Sequence, residues 1–269
     1  MLFSGYAILA YHNRMEQHGA ERASIITGGG RGIGRVVAQR LAVDAAVILV
    51  GRTAVDLDSA CVEIVASGGK AASVVGDVTD PKTAVRAVVC ARDRGWVVRN
   101  LVTNAGVGKS GPFETFDAEV WKRIIDVNVH GAFYFARACL PGMLAAGGGT
   151  ICLMSSVAGL RGVAYDVAYA TSKHALVGMA RSLALEYGKR GIVVAPVCPG
   201  FVESEMTERT IHGVMERRGV SYDAARARVA HANAGGRIIS AEEIAEVIAA
   251  ICSGMRTVRS GDPVVFDGV

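Results

Sequence analysis

Ala23-Ser24-Ile25-Ile26-Thr27-Gly28-Gly29-Gly30-Arg31-Gly32-Ile33-Gly34 decides how this chain folds. A short apolar run ends in a glycine turn, and a helical pattern, Arg35 to Leu41, begins at once. Glycines let a backbone approach a phosphate closely, and the N-terminus of the following helix offers free N–H groups and the positive end of its dipole. Strand, glycine turn and helix in that order predict a dinucleotide site built from Gly28, Gly30, Arg31, Gly32, Ile33 and Gly34.

Working outward, the same alternation of short apolar run and longer helical pattern recurs along the chain. The runs are Ala46–Val50, Ala72–Val75, Leu101–Thr103, Thr150–Met154, Ile192–Val197 and Pro263–Phe266. Near-continuous apolar runs, flanked by helices, predict a doubly wound α/β fold, a parallel sheet covered on both faces with its ligand crevice at the carboxyl ends of the strands. The second run ends in Val50-Gly51-Arg52-Thr53, with no carboxylate to bind a ribose 2'-hydroxyl. Arg52 and Arg31 can instead make charge-assisted bonds to a 2'-phosphate, so NADP(H) is expected over NAD(H).

A second constellation lies in the helical pattern Val167 to Leu185, where Tyr169 and Lys173 stand four residues apart on one face. A free phenol titrates near ~10, so a tyrosine poised near neutrality needs a shift worth roughly 4 kcal/mol. An adjacent ammonium pushes that way, and Lys173 is placed to supply it.

The glycine turn, Asn104-Ala105-Gly106, Asn128-Val129-His130-Gly131, Ser155-Ser156-Val157-Ala158-Gly159, the Tyr169/Lys173 pair and Cys198-Pro199-Gly200-Phe201 follow one another in this order. With them the chain, from Ala23 to Val269, resembles a short-chain dehydrogenase/reductase of the compact single-domain type. The resemblance implies a Rossmann-type fold and a tetrad of Asn128, Ser156, Tyr169 and Lys173. Its chemistry would be hydride transfer between a nicotinamide and a carbonyl carbon, with Tyr169 protonating the alkoxide and Ser156 bonding the same oxygen. Lys173, with Tyr169 beside it, would hold the nicotinamide ribose and lower the phenol pKa, and Asn128 would support a water leading to solvent. The resemblance further implies that Asp77 and Val78 contact the adenine, that Asn104, Ala105 and Gly106 line the riboses, and that Pro199, Gly200, Val202 and Ser204 border the cofactor. Two departures stand out: Thr103 where the family often has Asn, and Ser204 where it usually has Thr.

The expected activity is NADP(H)-dependent interconversion of a ketone and a secondary alcohol. Cys198-Pro199-Gly200-Phe201-Val202-Glu203 and Ser172-Lys173-His174 most resemble reductases of 3-oxoacyl thioesters, including polyketide ketoreductases. Leu144 to Gly149 lacks the basic cluster such enzymes often carry, which favours a CoA ester or a small cyclic or aliphatic ketone over a carrier protein. A redox-sensing regulator without turnover, and a related isomerase or dehydratase, are the competing classes. Residues 203–234 read as a mobile substrate lid, with five arginines against three acids from Thr207 to Ala232.

Composition bounds the rest. A chain of 269 residues, about half of them apolar, supports one α/β domain. Its 29 basic and 25 acidic residues form no block of the kind that binds nucleic acid or membrane surfaces. The six cysteines are scattered without metal spacing and read as reduced thiols of a cytoplasmic protein with no metal. Residues 1–22 read as a flexible extension, too short in its apolar part to span a membrane, with 1–14 a tail or an over-extended start. The helical stretches Val120–Met143 and Ala168–Tyr187 resemble the faces that pair in dimers and tetramers of the family, so a homo-oligomer is expected.

Overall fold

Runs with no polar face need cover on both sides, and each becomes a strand of one sheet. The structure, a computed structural model, describes residues 21–268. The strands are β1 (Glu21–Thr27), β2 (Ala46–Gly51), β3 (Ala71–Val75), β4 (Trp96–Thr103), β5 (Gly149–Met154), β6 (Ile192–Pro199) and β7 (Val264–Phe266). All neighbours are parallel, in the order β3-β2-β1-β4-β5-β6-β7. Chain order reverses between β1 and β4, which opens the crevice at their carboxyl ends.

Helices α1 (Gly32–Leu41), α2 (Ala54–Ala66) and α9 (Ala241–Cys252) cover one face. Helices α3 (Pro81–Asp93), α5 (Gly131–Ala145) and α6 (Val167–Tyr187) cover the other. Successive strand residues point to opposite faces, so Ile25 joins Ile48, Leu101, Phe135 and Leu176, while Ile26 joins Leu49, Leu57, Ile244 and Ile248. This single-domain α/β sheet is the fold expected from the apolar runs.

Element boundaries differ where pairing, not side-chain polarity, sets them. β1 begins at Glu21 and β4 at Trp96, because Glu21 pairs with Trp96 and Arg22 with Val97. Polar Glu21 and Arg22 therefore belong to the domain, and residues 1–20 of the expected extension lie outside the described residues. The stretch Val120–Met143 is two helices, α4 (Ala118–Ile125) and α5, joined by a widened π turn at Asp126–His130. The region after β6 forms α7 (Glu205–Arg218) and α8 (Tyr222–His231) on a small cluster of their own, Ile211, Ala225, Val229 and Ile238.

Candidate active site

The glycine turn is held by backbone that leaves no room for side chains. Gly28 has φ +67° and Gly32 φ +52°, the left-handed region glycine adopts without strain. A Cβ on Gly34 would overlap the Gly28 carbonyl oxygen. Asn104 Nδ2 donates to the Thr27 and Gly28 carbonyls (3.1 and 3.4 Å), and the Ala105 N–H donates to Thr27 Oγ1 (3.0 Å). Asn104 and Ala105, expected at the riboses, thus also brace the turn from the end of β4. The fourth-strand residue Thr103 has a buried hydroxyl without a partner among the described residues.

Whether a dinucleotide fits is tested by what surrounds this turn. Arg31, the N-cap of α1, makes no side-chain cap, and the first turn carries no acid, so its N–H groups keep no internal acceptor. A Cβ on Gly32 would meet nothing within 4 Å, so the space over that helix end is open. Ile33 packs its side chain on the core, leaving its backbone N–H for an anion. Arg52 is exposed just past β2, and Arg31 is exposed with one ion pair, to Glu205 at 3.2 Å. The residues present fit a phosphorylated dinucleotide.

Asp77 lies at the crevice with its carboxylate already engaged. Burial pushes its pKa up, but bonds from the Thr79 N–H (2.9 Å), the Thr79 hydroxyl (2.8 Å) and Arg123 (2.8 Å) bring it down to about 2. Val78 is buried beneath Gly131. On the other side, Gly200 donates to the Phe266 carbonyl and Val202 bridges Ile239. Ser204 is the N-cap of α7, its hydroxyl accepting from the Thr207 N–H at 3.2 Å. One hydroxyl thus starts the lid helix at the edge expected to border the cofactor.

The four candidate residues come from three places, the π turn (Asn128), the loop after β5 (Ser156) and helix α6 (Tyr169 and Lys173), and meet at the ends of β4, β5 and β6. The π turn carries Asn128 inward, 2 % exposed, where Oδ1 accepts from the Val107 N–H (2.8 Å). Its Nδ2 donates to the Val107 carbonyl and to Ser172 Oγ, both at 2.9 Å. The neighbouring Ser155 is committed to the fold: its buried hydroxyl donates to the Lys173 carbonyl at 2.9 Å. Ser156 Oγ accepts from the Ala158 N–H (3.2 Å), reaches the Pro199 carbonyl at 3.4 Å and hydrogen-bonds the Tyr169 phenol.

The Tyr169/Lys173 pair differs from expectation in its electrostatics. Burial pushes the phenol up to about 12; the Ser156 hydroxyl pulls it down and the Asp166 carboxylate pushes it further up. Lys173 is brought down to about 8, by burial first, with Cys198 acting the other way. Its Nζ lies 5.3 Å from the Tyr169 ring centre and donates to the Met154 carbonyl at 2.7 Å. At the phenol, burial thus outweighs the Ser156 hydroxyl, and Lys173 has one of its three N–H groups on the Met154 carbonyl.

Sequence reading missed three supports: Thr27, Ser172 and Asn233. Asn233 is buried between the lid and the β6 end, accepting from the Phe201 N–H (2.7 Å) and donating to the Phe201 and Arg237 carbonyls (3.0 and 2.6 Å). Nothing in their local pattern marks them, since Thr27 and Asn233 reach backbone 78 and 32 residues away and Ser172 also bonds the Tyr169 carbonyl one helix turn back. The lid's positive excess is offset once Glu203 and Glu205 are included, and they pair with Arg226 (3.1 Å) and Arg31 (3.2 Å).

This fold, turn and tetrad can be compared with known proteins. The family model for short chain dehydrogenases matches residues 22–214. The chain belongs to the short-chain dehydrogenase family. It is 34% identical over 249 residues to the short-chain reductase protein NovJ of Streptomyces niveus, covering 92% of this chain and 93% of that protein. It is 31% identical to the cyclohexanol dehydrogenase of an Acinetobacter strain, covering 92% and 94%. Among solved structures, an actinorhodin polyketide ketoreductase with NADPH superposes with a TM-score of 0.87 at 29% identity, covering 92% of this chain and 96% of that one. This short-chain dehydrogenase is an oxidoreductase by family. Among its described residues no helix is long and apolar enough to cross a membrane.

Proposed function

We propose that this short-chain dehydrogenase is an NADP(H)-dependent enzyme that reduces a ketone to a secondary alcohol and runs the reverse reaction. The observation that carries the reading is the convergence of the Ser156 and Tyr169 hydroxyls, backed by buried Lys173 and by Asn128 with all its amide bonds made. When bound, NADPH would supply a hydride to the carbonyl carbon. Tyr169 holds the proton at its phenol oxygen and gives it to the carbonyl oxygen, while Ser156 donates to that same oxygen where charge develops. Lys173 would turn its ammonium to the nicotinamide ribose, and Asn128 keeps α6 and the loop after β4 in register through Ser172 and Val107. Gly28 to Gly34 with the α1 N-terminus would take the pyrophosphate, Arg31 and Arg52 the 2'-phosphate, and Asp77, Val78, Pro199, Gly200, Val202 and Ser204 the remaining edges.

NADP(H) is supported by Arg52 standing where an acid would select NAD(H), and by the NADPH held in the actinorhodin relative. A free ketone is supported by the uncharged Leu144–Gly149 turn and by the cyclohexanol dehydrogenase relative; a 3-oxoacyl thioester is the second reading, supported by the polyketide ketoreductase. A cytoplasmic homo-oligomer, dimer or tetramer, is proposed on exposed Phe133 of α5 and Leu185 of α6. Purified protein with NADPH or NADH and a panel of cyclic ketones, open-chain ketones and a 3-oxoacyl-CoA tests the reading. A kcat/KM favouring NADPH with any ketone supports it. Cofactor binding with no oxidation across the panel would leave the sensor in its place.

A further inference from the structure

Tyr165 is the only non-glycine among the described residues with a left-handed backbone, φ +65°. An L side chain there crowds its own carbonyl, and such strain persists only where the surroundings impose it. Here two loops impose it. The Gly111 N–H donates to the Tyr165 carbonyl at 2.8 Å, and Ser110 Oγ donates to Asp166 Oδ1 at 2.7 Å. The same loop begins at Gly108, where a Cβ would sit 3.0 Å from the Tyr169 ring. The zipped loops therefore stand beside the proton donor.

The strained residue does not use its side chain for the fold. Tyr165 is 65 % exposed, and it shares its segment with exposed Leu160, Val163 and Val167, opposite exposed Phe113. Exposed apolar side chains on loops zipped together beside Tyr169 point to a ligand surface rather than to a core. The charges of that segment are Arg161 and Asp166, and Asp166 is occupied by Ser110. Nothing in the fold needs a tyrosine at a position that glycine would fill without strain.

We propose that Tyr165 is a specificity residue whose ring walls the substrate mouth and stacks on the apolar ring of a cyclic or aromatic ketone. This rests on the carbonyl-reductase reading and names its substrate class. Burying ring methylenes against an aromatic face changes affinity by about fivefold, so it separates ring ketones from small open-chain ones.

The test compares Tyr165→Gly and Tyr165→Phe with the parent enzyme, using cyclohexanone and acetone with NADPH. In Tyr165→Gly, KM for cyclohexanone is expected to rise about fivefold with kcat nearly unchanged, KM for acetone to stay within about twofold, and Tm not to fall. Tyr165→Phe should keep the parent's KM. An equal change for both ketones, no change for either, or a lower Tm in Tyr165→Gly would overturn the proposal, as would loss of an oligomer in that variant by light scattering. Calorimetric binding of cyclohexanone to the NADP+-loaded protein separates this proposal from the activity beneath it. Binding weakened about fivefold in Tyr165→Gly, in a protein without turnover, would uphold the mouth and refute the reductase, whereas a parent that binds no cyclohexanone refutes the mouth.

Discussion

Tyr169 and Lys173 share a helix face, yet burial drives them in opposite directions, the phenol to about 12 and the ammonium to about 8. A protonated phenol is the form that reduction needs. Reductive kcat/KM should therefore show no loss from the phenol between pH 6 and 8, while alcohol oxidation, which needs the phenolate, should climb steadily through pH 10; rate profiles in both directions check this. Tyr169→Phe should lower kcat/KM by about 10²–10⁴ while leaving the NADPH dissociation constant within about twofold, because the hydroxyl acts on the transition state. Stopped-flow turnover and fluorescence titration measure the two separately. Lys173 carries a stability signature as well. Its folded pKa lies below the ~10.4 of a free lysine, so the unfolded chain binds more protons between the two values and stability rises with pH across that window. The gain is present above about 10.4 and lost as pH falls to 8, on the order of 3 kcal/mol. Thermal melts of Lys173→Met should lack this rise from pH 8 to 10.

At the scale of elements, two local structures hold the site. The π turn between α4 and α5 exists to place one amide. Asn128→Ala would leave the Val107 N–H and carbonyl and the Ser172 hydroxyl short of a partner in a buried place, costing about 2–4 kcal/mol in denaturant unfolding as well as activity. The glycine turn is as demanding. Gly34→Ala would drive a methyl into the Gly28 carbonyl and Asn104, so NADPH binding should be lost and stability should fall by about 1–3 kcal/mol, measured by titration and by denaturant. The strand, glycine turn and helix were legible in sequence because each depends on neighbours a few residues away. The break at Asp126–His130 was not, since the apolar pattern runs through it and only contacts with Val107 and Ser172 show why the ladder opens. The lid likewise read as charged and mobile, while its charges pair with Arg31 and with each other across 23 to 174 residues.

Across the whole molecule, two apolar layers share one sheet, so damage to either reaches the crevice between β1 and β4. Phe135, fully buried on the α5 side, joins residues from β1, β2, β4, β5 and α6 in one cluster. Phe135→Ala should cost about 3–5 kcal/mol in chemical denaturation and loosen the tetrad with it. The sequence by itself determined the parallel α/β fold, the glycine turn and the placing of Tyr169 and Lys173 on one helix face, because strand periodicity, glycine geometry and helix spacing act over a few residues. Only the tertiary structure decided that Asp77 pairs with Arg123, that Lys173 bonds the Met154 carbonyl, that Tyr165 holds a left-handed backbone, and that burial raises the phenol. Burial and long-range hydrogen bonds set those properties, and both arise only when segments far apart in the chain close around the same small volume.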